Sequence, residues 1–465
     1  MHKVSISPVT RANAVGTATV YVEEGKVVEA ESGASIFKGF EIIMAERDPW
    51  DAPYLTQRIC GICSSAHALA SCLALEAIAG AEPPPNGILL RNIIFGLDLL
   101  QNHIRHFYML GLWDWASPPD RFPFKGGYTK GFRFSSKETE QLRQGYWQAA
   151  DQSRLAHEAL TLLGGKVPHQ HGIVPGGATL FPEKHVREEL RRRLQKIRVF
   201  VEKVYLPDAL LLQSRYKDYL SLGVRKSGFL SSGCFPLSKG KGHHFPAGVL
   251  LDDGVEAVGL NGISESLEHS WFQGEGGDPW VEESVPDPNR EGAYSWVKAP
   301  RYRETACEGG PLARRLLQGE GPRRSSTMDR IVARAREALK VARLLEVWLD
   351  ELMPGKPARV SFKIPASGRG VGAVDAMRGP LSHWVTLKGG RISSYQIITP
   401  SAWNFSPRDG KGRPGPVEEA LVGTPVEDVK EPIEVGRILR SFDPCYSCAA
   451  HVVDRTRGEA KLLQV

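Results

Sequence analysis

The sequence lacks the features that mark secreted and membrane-spanning proteins. Its 465 residues include only 7 cysteines, whereas a secreted disulfide framework uses more cysteines in a shorter chain, so reduced thiols are expected. No uncharged apolar run of about 18 residues is present, which argues against a spanning helix. The opening residues MHKVSISPVT read as a strand rather than a signal or transit peptide. We therefore expect no membrane span and no export signal in this chain.

Strong charge of either sign is also missing. Lys and Arg number 59 against 53 Asp and Glu, a net charge of +6, and the basic residues are spread along the chain apart from a small cluster at 191–193. Such a pattern is typical of solvated helix faces. We expect no nucleic-acid partner. Apolar residues make up 42% of the chain, which is enough for a large core.

The hydrophobic patterns predict helices and strands mixed without a repeat. Hairpins are predicted over 16–30 and 383–399, around Gly-containing turns. A helix over 68–80 is apolar nearly all round, so it should be buried. Four further helical stretches are predicted at 86–112, 134–163, 182–221 and 328–352. The fold class is α+β: one large domain with a core of long helices, β-hairpin additions and long irregular connections.

Two short cysteine motifs near opposite ends of the chain carry the chemistry. Each is a CxxC pair followed within four residues by a histidine. The first motif, RICGIC, contains Cys60 and Cys63 and is followed by His67; the second, DPCYSC, contains Cys445 and Cys448 and is followed by His451. Paired thiolates at a turn before a helix can reach one ion, and they favour zinc, copper(I), iron–sulfur or nickel–iron over carboxylate-binding metals.

A structural zinc site with four cysteine ligands is the default interpretation of two such pairs. Zinc ribbons usually place the pairs about 15–20 residues apart, whereas 381 residues lie between Cys63 and Cys445. Zinc also serves mainly to stabilise small units, and this chain can bury a core without it. The spacing disfavours zinc without excluding it.

The sequence around the pairs resembles the large subunit of nickel–iron hydrogenases. RICGIC and DPCYSC match that family's two signatures, and FKGFE at 37–41 leads into the first of them. The other matching blocks are GKVPHQHGIVPGG (165–177), WVKAPRYRETACEGGPLAR (296–314), MRGPLSHWVTLKGGRISSYQIITPSAWNFSPRD (377–409) and ALVGTPVED (420–428). The resemblance covers essentially the whole chain and implies the hydrogenase large-subunit fold over residues 1–451.

The resemblance implies a ligand set. Cys60 and Cys445 would be terminal nickel ligands, while Cys63 and Cys448 would bridge nickel to an iron that carries carbon monoxide and cyanide. Arg378 matches the arginine that the family places over the metals, and the base for the proton would be this arginine or a terminal thiolate such as Cys445. A surface salt bridge is the alternative interpretation of Arg378.

A buried guanidinium needs partners, and Asp443, just before the second pair, is the best candidate for Arg378. His67 is expected beside the metal ligands, hydrogen-bonded to a sulfur, unless it is an ordinary core histidine. Cys72, Cys234 and Cys307 are interpreted as packed thiols.

His451 matches the residue after which precursors of such subunits are cut. The resemblance therefore implies that residues 452–465 are a removable maturation tail, cleaved by a dedicated endopeptidase after nickel-insertion proteins have acted. The new terminus at His451 would then bind magnesium or a similar hard cation. Glu41 and the backbone carbonyl near Ile397 would complete that oxygen-rich site.

Three positions depart from the family pattern. Asn13 stands where relatives have a glutamate that hydrogen-bonds a bridging cysteine and passes protons. Asn102 replaces an aspartate that pairs with the active-site arginine, and Met377 replaces a proline. The side-chain amide of asparagine cannot accept and release a proton in the pH range in which a proton relay works. We therefore predict that the site assembles but moves protons slowly or by another route.

The resemblance implies the catalytic large subunit of a nickel–iron hydrogenase, which cleaves dihydrogen reversibly to protons and electrons, with uptake the preferred direction. Beyond the two pairs the chain has no second cysteine cluster, so electrons would leave through an iron–sulfur small subunit. The resemblance would also fit a dimer of two such heterodimers, each made of a large and a small subunit. The alternatives are a slowly turning dihydrogen sensor and a non-catalytic zinc protein. Location is either cytoplasmic or exported together with the small subunit.

Overall fold

The computed structural model describes residues 1–120, 124, 128, 130–281, 284–321 and 323–446. Cys448, His451 and the predicted tail at 452–465 lie outside the described residues. The helices are α1 Phe40–Met44, α2 Ala52–Thr56, α3 Ser64–Ala79, α4 Pro85–Arg105, α5 Ser136–Gly164, α6 Lys184–Phe200, α7 Leu206–Arg215, α8 Pro311–Leu317, α9 Thr327–Glu351, α10 Pro400–Asn404, α11 Pro416–Leu421 and α12 Ile433–Ser441.

The strands form small antiparallel sheets around this helical core. Their order within each sheet is β1-β2-β3, β4-β5, β6-β7-β8, β10-β9-β11 and β12-β13-β14. The strands are β1 His2–Ile6, β2 Gly16–Glu23, β3 Lys26–Ala34, β4 Ile173–Val174, β5 Gly177–Ala178, β6 Phe229–Pro236, β7 His243–Leu251, β8 Gly254–Glu256, β9 Ile263–Ser266, β10 Gly276–Gly277, β11 Ala299–Tyr302, β12 Gly368–Ala376, β13 Gly379–Lys388 and β14 Arg391–Ile398.

The core is built where long helices meet. Helix α4 packs against both α5 and α9, and its apolar residues are almost completely buried. Helix α3 is buried on all sides over most of its length, because α4 and strands β12 and β13 surround it. At Gly372 the sheet approaches so closely that an added Cβ would lie 1.8 Å from the carbonyl oxygen of Ala70.

The predicted fold class is confirmed: the chain is a single mixed α and β domain with a core of long helices. Both predicted hairpins form, as β2–β3 and β13–β14. Strand β12 escaped prediction because its sequence, GRGVGAVDA, is too rich in glycine to read as a strand. No helix of the described residues is both long enough and apolar enough to cross a membrane.

The fold brings the N-terminal region onto the segment that carries Cys445. The backbone N–H of Asn13 donates to the carbonyl of Pro444 at 3.3 Å, which joins the two ends of the chain. A Cβ added to Gly16 would lie 2.2 Å from the ring of Tyr446, so only glycine fits under that ring. The segment after α12 is therefore fixed by contacts that are remote in sequence.

Candidate metal centre

Cys60, Cys63 and Cys445 converge at one buried point. Cys60 follows a short 3₁₀ turn, Cys63 precedes the first residue of α3, and Cys445 follows α12. One ligand atom of each lies within 4.8 Å of the others, and the Sγ atoms of Cys60 and Cys445 are 3.5 Å apart. Two cysteine motifs that are more than 380 residues apart in the sequence thus meet in a single thiol cluster.

Two N–H donors point at these sulfurs. The Asn13 side chain donates from Nδ2 to Cys60 Sγ at 3.4 Å and to Cys445 Sγ at 3.3 Å. The backbone N–H of Ile62 donates to Cys60 Sγ at 3.3 Å. Donors of this kind stabilise ionised sulfur. Asn13 thus lies beside the cysteines, and its amide reaches the first cysteine of each pair because an isolated β-bridge joins Asn13 to the backbone at Cys445.

Arg378 lies beside the thiols, on the turn between β12 and β13. Its Nε donates to the backbone carbonyl of Asp443 at 3.0 Å and lies 3.1 Å from the Asp443 carboxylate. Its Nη2 donates to Oδ1 of Asn102 at 2.9 Å, and Asn102 in turn donates to the carbonyl of Ile62. Arg378 is only 4% exposed, which rules out the alternative of a surface salt bridge.

The charges of Arg378 and Asp443 support each other. Burial opposes the charge on Arg378, but the Asp443 carboxylate and the thiols of Cys445, Cys63 and Cys60 outweigh it and raise the pKa of the guanidinium. Burial likewise opposes ionisation of Asp443, yet Arg378 and the neighbouring His106 and Arg334 hold the pKa of its carboxyl below the usual value. Asp443 also adopts a φ of 59°, a left-handed conformation that aspartate tolerates better than most residues.

His67 takes part in a different contact from the one expected. It is fully buried near Cys445, and burial lowers its pKa to about 3, so the ring is neutral. Its Nδ1 lies 3.1 Å from Nε2 of His383, whose Nδ1 lies 2.8 Å from the Tyr395 hydroxyl. Its Nε2 has no hydrogen-bond partner among the described residues. The Nδ1 contact therefore links α3 to β13, and the expected bond from His67 to a sulfur stays a prediction, since Cys448 lies outside the described residues.

The expected magnesium ligands lie on two elements that touch. Glu41 is in the first turn of α1 and Ile397 is near the end of β14, and α1 packs on β14. The third expected ligand, His451, lies outside the described residues, as does Cys448. The described residues thus bring together two of the three positions.

Sequence reasoning missed three charged or titratable residues around Arg378. Arg334 of α9 lies 3.9 Å from the Asp443 carboxylate, and Nε2 of His106 lies 4.0 Å from it. Asp98 of α4 is buried and interacts electrostatically with Arg378. All three occur in long helical stretches, where the sequence pattern cannot show which polar side chain faces the site. The one available signal was a charge inside an otherwise buried helix.

The donor set fits a soft metal. All six cysteines in the described part of the chain are buried thiols outside disulfides. A thiolate binds a metal such as zinc at about 2.3 Å, so sulfurs 3.5 Å apart can share one ion. No carboxylate belongs to this cluster of described residues, which disfavours magnesium or calcium there. The geometry by itself fits zinc as well as nickel.

Comparison with known proteins distinguishes between these metals. A family model described as nickel-dependent hydrogenase matches residues 38–121, 117–323 and 318–451. The chain belongs to the nickel-dependent hydrogenase family. It is 36% identical to the periplasmic [NiFeSe] hydrogenase large subunit of Desulfomicrobium baculatum, with 100% of this chain and 97% of that one covered.

Further hydrogenases show the same relationship. The hydrogenase-2 large chain of Escherichia coli is 31% identical, with coverage of 100% of this chain and 99% of that one. The Ni-Fe-Se hydrogenase structure from D. vulgaris Hildenborough superposes with a TM-score of 0.93 at 39% identity, covering 97% of this chain and 100% of that one. Where those names include selenium, this chain has cysteine at all four motif positions.

The family membership makes this chain a hydrogenase large subunit, an oxidoreductase that acts on dihydrogen. The names of these relatives favour the enzyme over the dihydrogen sensor and over the structural zinc protein. The nickel–iron centre predicted from the two motifs agrees with the family.

Proposed function

We propose that the four motif cysteines hold a nickel–iron centre whose iron carries carbon monoxide and cyanide. Cys60 and Cys445 would be terminal nickel ligands, and Cys63 and Cys448 would bridge the metals. The observation that carries this proposal is the meeting of Cys60, Cys63 and Cys445 within 4.8 Å in the buried core of a family member. When bound, the centre supplies the coordination position at which dihydrogen is split heterolytically.

Residues of this chain would then accept the proton that is released when dihydrogen is split. The Cys445 thiolate is the group we expect to accept it, because the Asn13 amide and the Arg378 charge keep that sulfur ionised and therefore available as a base. Arg378 keeps one nitrogen, Nη1, without a hydrogen-bond partner among the described residues. Asp443 and Asn102 hold the other nitrogens in place. A cation fixed in this way stabilises developing negative charge without having to reorganise.

Asn13→Glu should speed proton transfer, since a carboxylate beside Cys60 and Cys445 can accept and release a proton where the amide cannot. The expected result is faster hydrogen–deuterium exchange between the gas and water, by a factor of about 10 or more. Asn13→Gln is the matched control, because it lengthens the side chain but remains an amide. Unchanged exchange in the glutamate variant, with nickel content intact, would show that residue 13 does not limit proton movement.

We also propose the maturation steps that the resemblance around His451 implies. The endopeptidase would cut after His451 once nickel has been inserted, removing residues 452–465. His451 would then join Glu41 and the Ile397 carbonyl around magnesium or a similar cation. The packing of α1 on β14 supports this proposal, because it places two of these ligands on neighbouring elements.

An iron–sulfur small subunit is the proposed electron acceptor. The region before the first motif exposes apolar side chains that a partner could cover: Ile42 is 52% exposed, Ile43 41%, Trp50 37% and Tyr54 41%. The Tyr54 ring also meets the edge of His171, with ring centroids 5.8 Å apart. A partner that covers these side chains would pack on the segment that leads into Cys60 and Cys63.

An infrared spectrum of the purified complex, with the mass of its C-terminus and a metal analysis, tests these proposals together. We expect bands from carbon monoxide and cyanide, one nickel per large subunit with iron in excess because the small subunit adds its own iron–sulfur clusters, and a chain that ends at His451. Turnover with a redox dye would distinguish the enzyme from the sensor. Zinc without nickel, and no such bands, would contradict the proposed centre.

A further inference from the structure

The charges around Arg378 leave an imbalance when only its direct contacts are counted. Two buried guanidinium groups, those of Arg378 and Arg334, share the Asp443 carboxylate at 3.1 and 3.9 Å. The nearest side chain on α4 is Asn102, which is neutral. A buried positive charge without a balancing negative one is costly. The thiolates of Cys60, Cys63 and Cys445 add negative charge on one side of Arg378, and a carboxylate on the α4 side would complete the balance.

Asp98 is placed to supply that carboxylate. It lies four residues before Asn102 on α4, so the two side chains share one face of the helix, one turn apart. Asn102 touches Arg378 directly, and Asp98 is only 4% exposed. Two donors fix its carboxylate: the backbone N–H of Ser65 at 3.3 Å and Nε2 of Gln101 at 3.1 Å.

The Ser65 contact links Asp98 to the metal ligands through the backbone. Ser65 is the second residue of α3, which begins directly after Cys63. An N–H in the first turn of a helix has no partner within the helix, and the Asp98 carboxylate satisfies this one. Asp98 thus contacts the start of α3, directly after Cys63, and also interacts electrostatically with Arg378.

We propose that Asp98 is the second countercharge of Arg378, a positioning residue that takes the electrostatic place of a carboxylate at 102. Asp98 lies one turn along α4 from Asn102, the residue that contacts the guanidinium directly. Arg378 keeps a hydrogen bond to the neutral Asn102 and remains balanced by two carboxylates. The inference rests on the proposed function, since its consequence is the field that Arg378 exerts on the centre.

The charge on Asp98 should depend on pH. Burial is the largest influence and raises its pKa to about 6; the bonds from Gln101 and Ser65 and the charge of Arg378 oppose it. The charged groups that face it are Arg378 from the β12–β13 turn and Arg105 from its own helix. Above about pH 6 the carboxylate is ionised and balances Arg378, and below that pH the balance is lost.

The test compares infrared spectra of the loaded complex between pH 5 and 8 for the native chain, Asp98→Asn, Asn102→Asp and the double swap. The native bands should shift with a midpoint near pH 6. Asp98→Asn should abolish that shift and hold the bands at their low-pH positions. The double swap should restore the high-pH positions. Asp208→Asn is the control, because that buried carboxyl bonds Tyr108 and Gln141 instead.

A thermal unfolding cycle on the full-length chain at pH 8 gives a second readout that needs no metal. Asp98→Asn should lower Tm by about 2 °C more in the native background than in an Arg378→Gln background. Additive Tm shifts, or a native-like pH shift of the bands in Asp98→Asn, would overturn the inference. Absence of carbon monoxide and cyanide bands from the native complex would overturn the proposed centre instead, and the unfolding cycle would still decide the role of Asp98.

Discussion

Cys60→Ser should abolish nickel binding and hydrogenase activity together. Cys60 Sγ is 3.5 Å from Cys445 Sγ and accepts hydrogen bonds from the N–H groups of Asn13 and Ile62, so it belongs to a preformed set of sulfur ligands. A serine hydroxyl is a harder ligand that stays protonated at neutral pH, and it does not replace thiolate at a soft metal. The checks are nickel and iron contents by elemental analysis, followed by dye-linked dihydrogen oxidation.

Cys307→Ser is the matched control for this loss. Cys307 is equally buried, at 1% exposure, but it lies away from the thiol cluster, and its thiol donates to the Thr305 carbonyl at 3.6 Å. Burial raises the pKa of Cys307 to about 12, so the thiol remains protonated. A serine there can keep the same hydrogen bond. Full nickel content in Cys60→Ser would contradict the proposed ligand set, whereas a loss in both variants would indicate a general packing defect.

The contrast between Cys60 and Cys307 shows what the sequence could predict. Both are buried cysteines. Only the CxxC spacing and the flanking motif residues distinguished Cys60, the predicted ligand, from Cys307, the packed thiol. Spacing alone could not bring Cys63 and Cys445 together, because no local rule relates positions that far apart. The resemblance made that connection, and the structure shows its physical basis in the bridge between Asn13 and the Cys445 segment.

Helices were predictable where burial follows a local pattern. The stretch 68–80 read as a fully buried helix and forms most of α3, Ser64–Ala79. The predicted helix over 86–112 is interrupted: α4 ends at Arg105 and a π-helical segment follows at His106–Gly111. The apolar pattern continues through that change, so hydrophobicity could not reveal it.

The surroundings of the metal ligands were predicted unevenly for a similar reason. Sequence reasoning identified Asn13, Asn102 and Asp443 because they lie in or beside stretches that match the family's motifs. Asp98 and Arg334 were not, since they lie in the middle of long helices and act through Arg378 rather than through a motif. Whether such a side chain faces the site depends on the packing of α4 and α9, which is a tertiary property.

Arg378→Lys should lower hydrogenase activity by about 10²–10³-fold while leaving nickel and iron in place. Lysine keeps the positive charge but loses the planar fork, so it cannot bond the Asp443 backbone and Asn102 Oδ1 at once. The cation would then no longer be fixed over the thiols of Cys60, Cys63 and Cys445, whose charges interact with it. Dye-linked turnover, divided by nickel content, is the measurement.

Arg301→Lys provides the control for the loss of a buried guanidinium as such. Arg301 is 2% exposed and is held by Asp409 at 3.1 Å and by several backbone carbonyls, with no contact to the thiol cluster. Its replacement should lower Tm but leave turnover per nickel close to the native value. If Arg378→Lys retained native turnover, the fixed geometry of the guanidinium would be irrelevant to catalysis. If Arg301→Lys lost as much, the effect at Arg378 would reflect destabilisation of the core, because both variants remove the same hydrogen-bonding fork from a buried site.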